Sequence, residues 1–141
     1  MLAVDTNVIV RLLTADDPRQ AATAARMFDA EEIRISKTVL LETEWVLRRG
    51  YKLGQTAIHR AFVDILGLDH VHVEDEPAVR RALILLASGL DFADALHLSS
   101  RSPEAGFATF DRKLVQRATR AGVEALMDLN SARELLTGRG R

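Results

Sequence analysis

Cysteine is absent from the 141 residues, which excludes disulfides, thiolate-ligated zinc or iron–sulfur centres and a cysteine nucleophile. A reducing cytoplasm is the expected home. Proline occurs only three times and no Pro/Ser-rich linker divides the chain. One domain is therefore expected over residues 1–130, with residues 131–141 as a partly frayed, Gly/Arg-ended extension. No apolar run approaches the roughly 20 residues that a bilayer crossing needs, so no membrane association is expected. The start, Met1 to Asp5, lacks the basic and long apolar regions of a secretory leader. Charge of one sign is missing too: 19 Lys+Arg oppose 20 Asp+Glu, a net −1. The molecule as a whole has no bulk attraction for nucleic acid, and any phosphate-binding surface must come from uneven placement of charge.

What is present is a βα alternation. Leu2-Ala3-Val4 is a short apolar run that ends at Asp5-Thr6-Asn7 and passes into Val8, Ile9, Val10, Leu12 and Leu13, a strand breaking into a helix. Asp16-Asp17-Pro18 caps an alanine-rich helix to about residue 30. Strands are predicted at 33–35, 71–73, 106–109 and 123–126. Helices are predicted from Ser36 to Gly50, over 55–66, from Pro77 to about Ser88, after Asp91, and over 113–121. The order predicts an α/β fold, a central parallel sheet of about five strands with helices on both faces.

In such sheets ligands bind beyond the carboxyl ends of the strands, which directs attention to the acids there. Asp5 follows the first strand, Asp111 follows the fourth after two residues, Glu42 lies two turns into the helix after the second strand, and Asp94 one turn into the helix after Gly89-Leu90. Asp111 or Asp91 taken alone reads as a helix N-cap, and Asp94 as a first-turn acid that complements the helix dipole. Glu42 is flanked by Leu40, Leu41, Trp45 and Val46, and Asp5 ends a strand expected to run into the interior, where a lone charge is costly. Two carboxylates about 5 Å apart repel by roughly 3 kcal/mol at an effective dielectric of about 20. Convergence of these acids therefore calls for a cation, and oxygen donors without cysteine favour Mg²⁺ or Mn²⁺. Such an ion suits hydrolysis of a nucleic-acid backbone.

Asp5-Thr6-Asn7, Ile35-Ser36 leading to Leu41-Glu42, Asp91 to His97, and Ala108 to Leu114 together resemble the acidic motifs of PIN-domain ribonucleases, particularly VapC-type toxins of bacterial toxin–antitoxin pairs. The resemblance spans residues 2 to about 126. It implies a three-layer fold, RNA cleavage in which Asp5, Glu42, Asp94 and Asp111 are catalytic, and Asp5 and Asp94 as the principal Mg²⁺ ligands. It further implies Thr6, Asn7 and Thr109 as supporting polar residues, a homodimer, and silencing by a cognate VapB-type antitoxin. Asp91 and Glu44 compete for motif positions. Asp91 suits a cap, and Glu44 points about 200° around the helix from Glu42.

Lys37, Arg112 and Lys113 are candidates for RNA phosphates, against their default as helix covering. Arg48-Arg49 and Lys52 suit a helix C-terminus. His97, three residues after Asp94, could orient that carboxylate. His70 and His72 read as structural. Trp45 and Phe62 read as core unless exposed, when they would suit the antitoxin, and the run Val79, Ala82, Leu83, Leu86 serves either burial or a homodimer. Two other readings compete: a catalytically inactive PIN-like module that binds RNA or protein, and a Mg²⁺-binding phosphoacceptor signalling domain. The latter wants adjacent acids after the first strand and a lysine after the last, and this chain has neither.

Overall fold

Helix starts are set by short side-chain acceptors. In the computed structural model, which describes residues 1–131, the element order is β1 (Leu2–Ala3), α1 (Thr6–Thr14), α2 (Pro18–Ala30), β2 (Ile33–Ile35), α3 (Lys37–Arg49), α4 (Gln55–Leu66), β3 (Val71–Val73), α5 (Glu76–Ala87), α6 (Phe92–Ser100), β4 (Phe107–Thr109), α7 (Arg112–Arg120) and β5 (Leu126–Asp128). Asp5, Asp17, Ser36, Asp91 and Asp111 each accept a backbone N–H three residues on, capping α1, α2, α3, α6 and α7. Residues 132–141, most of the expected frayed extension, lie outside the described residues.

All strand pairs are parallel, but they form two ladders rather than one sheet. β1, β2 and β3 pair in that order, and β4 pairs with β5. β1 is only two residues long, and among the described residues it makes no ladder with β4. The α/β class stands while the expected single five-stranded sheet is split three and two. Ala3, Arg34 and His72 lie abreast and are exposed, whereas Ile33 and Val71, also abreast, are buried. That pattern of two sets the core face.

The core is mainly helical side chains laid on that face. Ile33, Ile35, Leu40, Leu47, Ile58 and Phe62 are fully buried, each worth about 1.5–3 kcal/mol relative to exposure. The Phe62 and Phe92 rings meet edge to face at 5.5 Å, locking α4 to α6. Val79, Ala82, Leu83 and Leu86 are buried within the chain, so this run is spent on the core and is not a free homodimer face. Phe62 is core as expected. Trp45 is not: it stands 55% exposed.

The last strand corrects the sequence reading. Its expected span is 123–126, yet β5 begins at Leu126. The Val123 N–H is committed to the Ala118 carbonyl and the Gly122 N–H to Thr119, so residue 123 closes α7 instead of pairing with β4. Gly122 has φ +84°, which glycine tolerates, and Ala125 turns the chain at φ +58°. His72 pairs with Glu32 across 2.5 Å, and the His70 Nε2 is buried without a partner among the described residues. Among the described residues no helix is long and apolar enough to cross a membrane.

Candidate active site

The carboxyl end of each ladder delivers acids. Asp5 leaves β1 after Val4, and its Oδ1 accepts from the Val8 N–H at 3.3 Å. It is exposed, contrary to the expected interior position, because a two-residue strand does not carry its end into the core. Thr6, buried next to it, donates its hydroxyl to the Glu42 carboxylate and so ties α1 to α3. Glu42 is exposed as well, and the buried acid of α3 is Glu44. Leu40, Thr43, Glu44 and Leu47 form the inward stripe, and Glu44 is tolerated there because Arg48, one turn on, meets it at 2.8 Å. Asn7 is exposed and lines a cleft with Val8 and Arg19.

A second group gathers around Asp94. Its N–H donates to Asp91 Oδ1 at 3.2 Å, so Asp91 is the N-cap that its position suggests. Burial, then the charges of Asp91 and Asp111, hold the Asp94 carboxyl above its ordinary range, against the pull of His97 and Arg117. Asp111 caps α7 through Leu114 N–H at 3.0 Å, and its own N–H donates to Thr109 Oγ1 at 3.0 Å. The cap reading and the shared negative field hold together for these acids.

The structure thus brings Asp94 within the fields of Asp91 and Asp111, and Thr6 onto Glu42. Among the described residues, no group of three or more His, Asp or Glu side chains is arranged to hold one metal ion. A hard cation still fits the chemistry of the donors. Mg²⁺ is commonly held by one or two carboxylates with water and substrate phosphates completing the shell. A carboxyl whose ionisation is disfavoured by burial and by neighbouring carboxylates is the kind of group that positive charge relieves.

Residues 2–120 match the family described as PIN domain. The chain belongs to the PIN domain family. No curated protein and no solved structure gives a significant match. PIN domains are commonly nucleases and generally use divalent metals, so this PIN domain has a nuclease-type fold.

The basic residues of the PIN domain are placed unequally. Lys37 is committed: its Nζ meets Asp75 Oδ2 at 2.6 Å and Ser100 Oγ at 3.1 Å, and it holds the Asp75 carboxyl below its usual range. Arg112 is exposed and its Nε only just reaches Asp128 Oδ2, at 4.0 Å. Lys113 and His97 are exposed. Sequence reasoning passes over Arg117, whose charge acts on Asp94, although its place four residues after Lys113 on one helix is a usable signal. It passes over Asp128 because the final strand is set too early. Phe110, beside Asp111, stands out in the sequence only as part of a motif and is 72% exposed.

Proposed function

We propose that this PIN domain is a Mg²⁺- or Mn²⁺-dependent endoribonuclease and serves as the toxin of a toxin–antitoxin pair. The observation that carries the reading is the raised Asp94 carboxyl among Asp91 and Asp111, in a chain whose family is commonly nucleolytic. Asp5 and Asp94 would be the principal ligands of the ion, with Glu42 and Asp111 completing the quartet. When bound, the cation supplies an activated water and offsets charge on the phosphodiester.

The chain's own contributions are electrostatic and positional. Thr6 fixes the rotamer of Glu42, and Asp111 is held at its backbone N–H by Thr109 and at its side chain by Leu114. Arg117 places positive charge beside Asp94. Hydrolysis forms one P–O bond to water as another breaks, and the departing oxygen takes a proton. No covalent intermediate with the protein is required.

A catalytically inactive RNA- or protein-binding module is the second reading, favoured by the lack, among the described residues, of a three-residue metal cluster. One experiment divides the two. RNA cleavage by wild type is expected with Mg²⁺ or Mn²⁺ and not with chelator, and Asp94→Asn or Asp5→Asn is expected to lower it by about two orders of magnitude or more. Equal activity in the variants would sink the nuclease. Growth arrest on expression, relieved by the same substitutions or by a co-expressed antitoxin, tests the toxin role. Homodimerisation is read from solution mass.

A further inference from the structure

A solitary exposed apolar side chain needs no explanation. Phe110 differs in where it stands and how it is held. It separates Thr109 from Asp111, and the backbone on both sides is pinned: the Asp111 N–H donates to Thr109 Oγ1 at 3.0 Å, and Asn130 Nδ2 donates to the Phe110 carbonyl at 2.7 Å. The ring is therefore displayed on a fixed turn beside an acid of the site, 72% exposed.

The same turn opens α7. Lys113, Arg117 and Arg120 recur at four and three residues and share one face of that helix, a stripe about 10 Å long at 1.5 Å per residue. None of the three forms an ion pair with any described residue. Arg117 and Arg120 border a cleft of about 390 Å³ whose lining contains no carboxylate. Through Arg117 and Gly89 that cleft meets a second, of about 210 Å³, bordered by Asp91 and Arg48. Gly89, at φ +100°, leaves this junction open, since a Cβ there would meet nothing within 4 Å. The helix dipole accounts for arginines in the last turn but disfavours Lys113 in the first, and like charges four apart repel.

We propose that Phe110 and the Lys113–Arg117–Arg120 face form a cradle for single-stranded RNA, with one base stacked on the ring and the backbone phosphates led along α7 past the Asp94 side of the site. The inference rests on reading those acids as an RNA-cleaving site. Every base offers a π-face, but a duplex hides its faces in the stack, so a lone displayed ring selects an unpaired strand. Guanidinium groups outside any ion pair with the described residues then carry the sequence-independent part of the affinity. Position favours RNA over a protein partner, because ring, cations and acids adjoin.

The test is binding of a labelled, unstructured RNA to the full chain in chelator, measured across a salt series. Phe110→Ala is expected to weaken binding by about 5- to 150-fold without altering the salt slope. Phe110→Trp retains it. The double variant Arg117→Ala, Arg120→Ala is expected to lower the slope of log Kd against log salt by about 0.7 for each phosphate left without its cation. Arg120→Lys keeps the slope, and since all these side chains lie at the surface, the folded state is checked by thermal melting alone. Unchanged affinity in Phe110→Ala overturns the cradle and assigns the ring to a protein contact; an unchanged slope in the double variant overturns it equally. Failure of wild type to cleave RNA with either metal, while both binding signatures persist, would remove the nuclease reading and leave the cradle standing.

Discussion

Asp94 is the residue whose protonation the fold disturbs in the direction opposite to the usual aspartate. Burial and the charges of Asp91 and Asp111 raise its carboxyl above 3.8, so the folded chain binds that proton more tightly than the unfolded chain. A group of this kind supports folding below the ordinary value and withdraws its support as pH climbs through the raised one. Asp94→Asn is therefore expected to melt at a higher temperature than wild type near neutral pH, with the gap closing below pH 3.8, as followed by circular dichroism. Identical melting at neutral pH would mean that the ionised side chain is not penalised. At this scale the sequence is partly legible. Asp91 as a cap follows from its place before an apolar helix, whereas Asp5, Glu42, Asp94 and Asp111 are candidates on their motifs alone. Burial on α3 is misread from sequence, because the neighbours of Glu42 along the chain are apolar whereas its helical face is not. The spacing of Leu40, Thr43, Glu44 and Leu47 holds the correct answer, with Arg48 as the partner that lets Glu44 go inside.

Helices survive translation from sequence to structure well here, because the starts of α1, α2, α3, α6 and α7 each depend on one side chain. Asp111 has two duties that separate by substitution. Asparagine caps as well as aspartate, so Asp111→Asn is expected to leave stability within about 0.5 kcal/mol of wild type while lowering cleavage, whereas Asp111→Ala loses about 1 kcal/mol as well. Urea denaturation beside an RNA cleavage assay reads both; equal destabilisation by Asn and Ala would show that the cap bond contributes nothing. Strands are legible at 33–35 and 71–73, which β2 and β3 occupy, and fail at the last one. Runs of two or three residues carry little alternation, and the apolar residue Val123 is drawn into the helix terminus by a bond that composition does not reveal. That shift hides Asp128, which sits at the end of β5 opposite Thr109.

For the whole molecule, cohesion comes from helices packed on one another and against strands of both ladders. Phe62, fully buried and edge-on to Phe92, sits where α4 meets α6. Phe62→Ala is expected to cost about 3–5 kcal/mol and to shift the urea midpoint without changing the slope of the transition. A loss under about 1 kcal/mol would show that the surroundings collapse into the space. The near-zero net charge, legible at once, conceals a division that the folded chain displays, with acids at the helix starts and, along α7, Lys113, Arg117 and Arg120 outside any ion pair with the described residues. Asp5 departs from one ladder and Asp111 from the other, with no main-chain rung between them among the described residues. The distance separating these two carboxylates is accordingly governed by interlocking side chains, not by backbone register. Evolution can thus widen or narrow the gap by trading a few packing residues, retuning the chemistry while every strand stays in place.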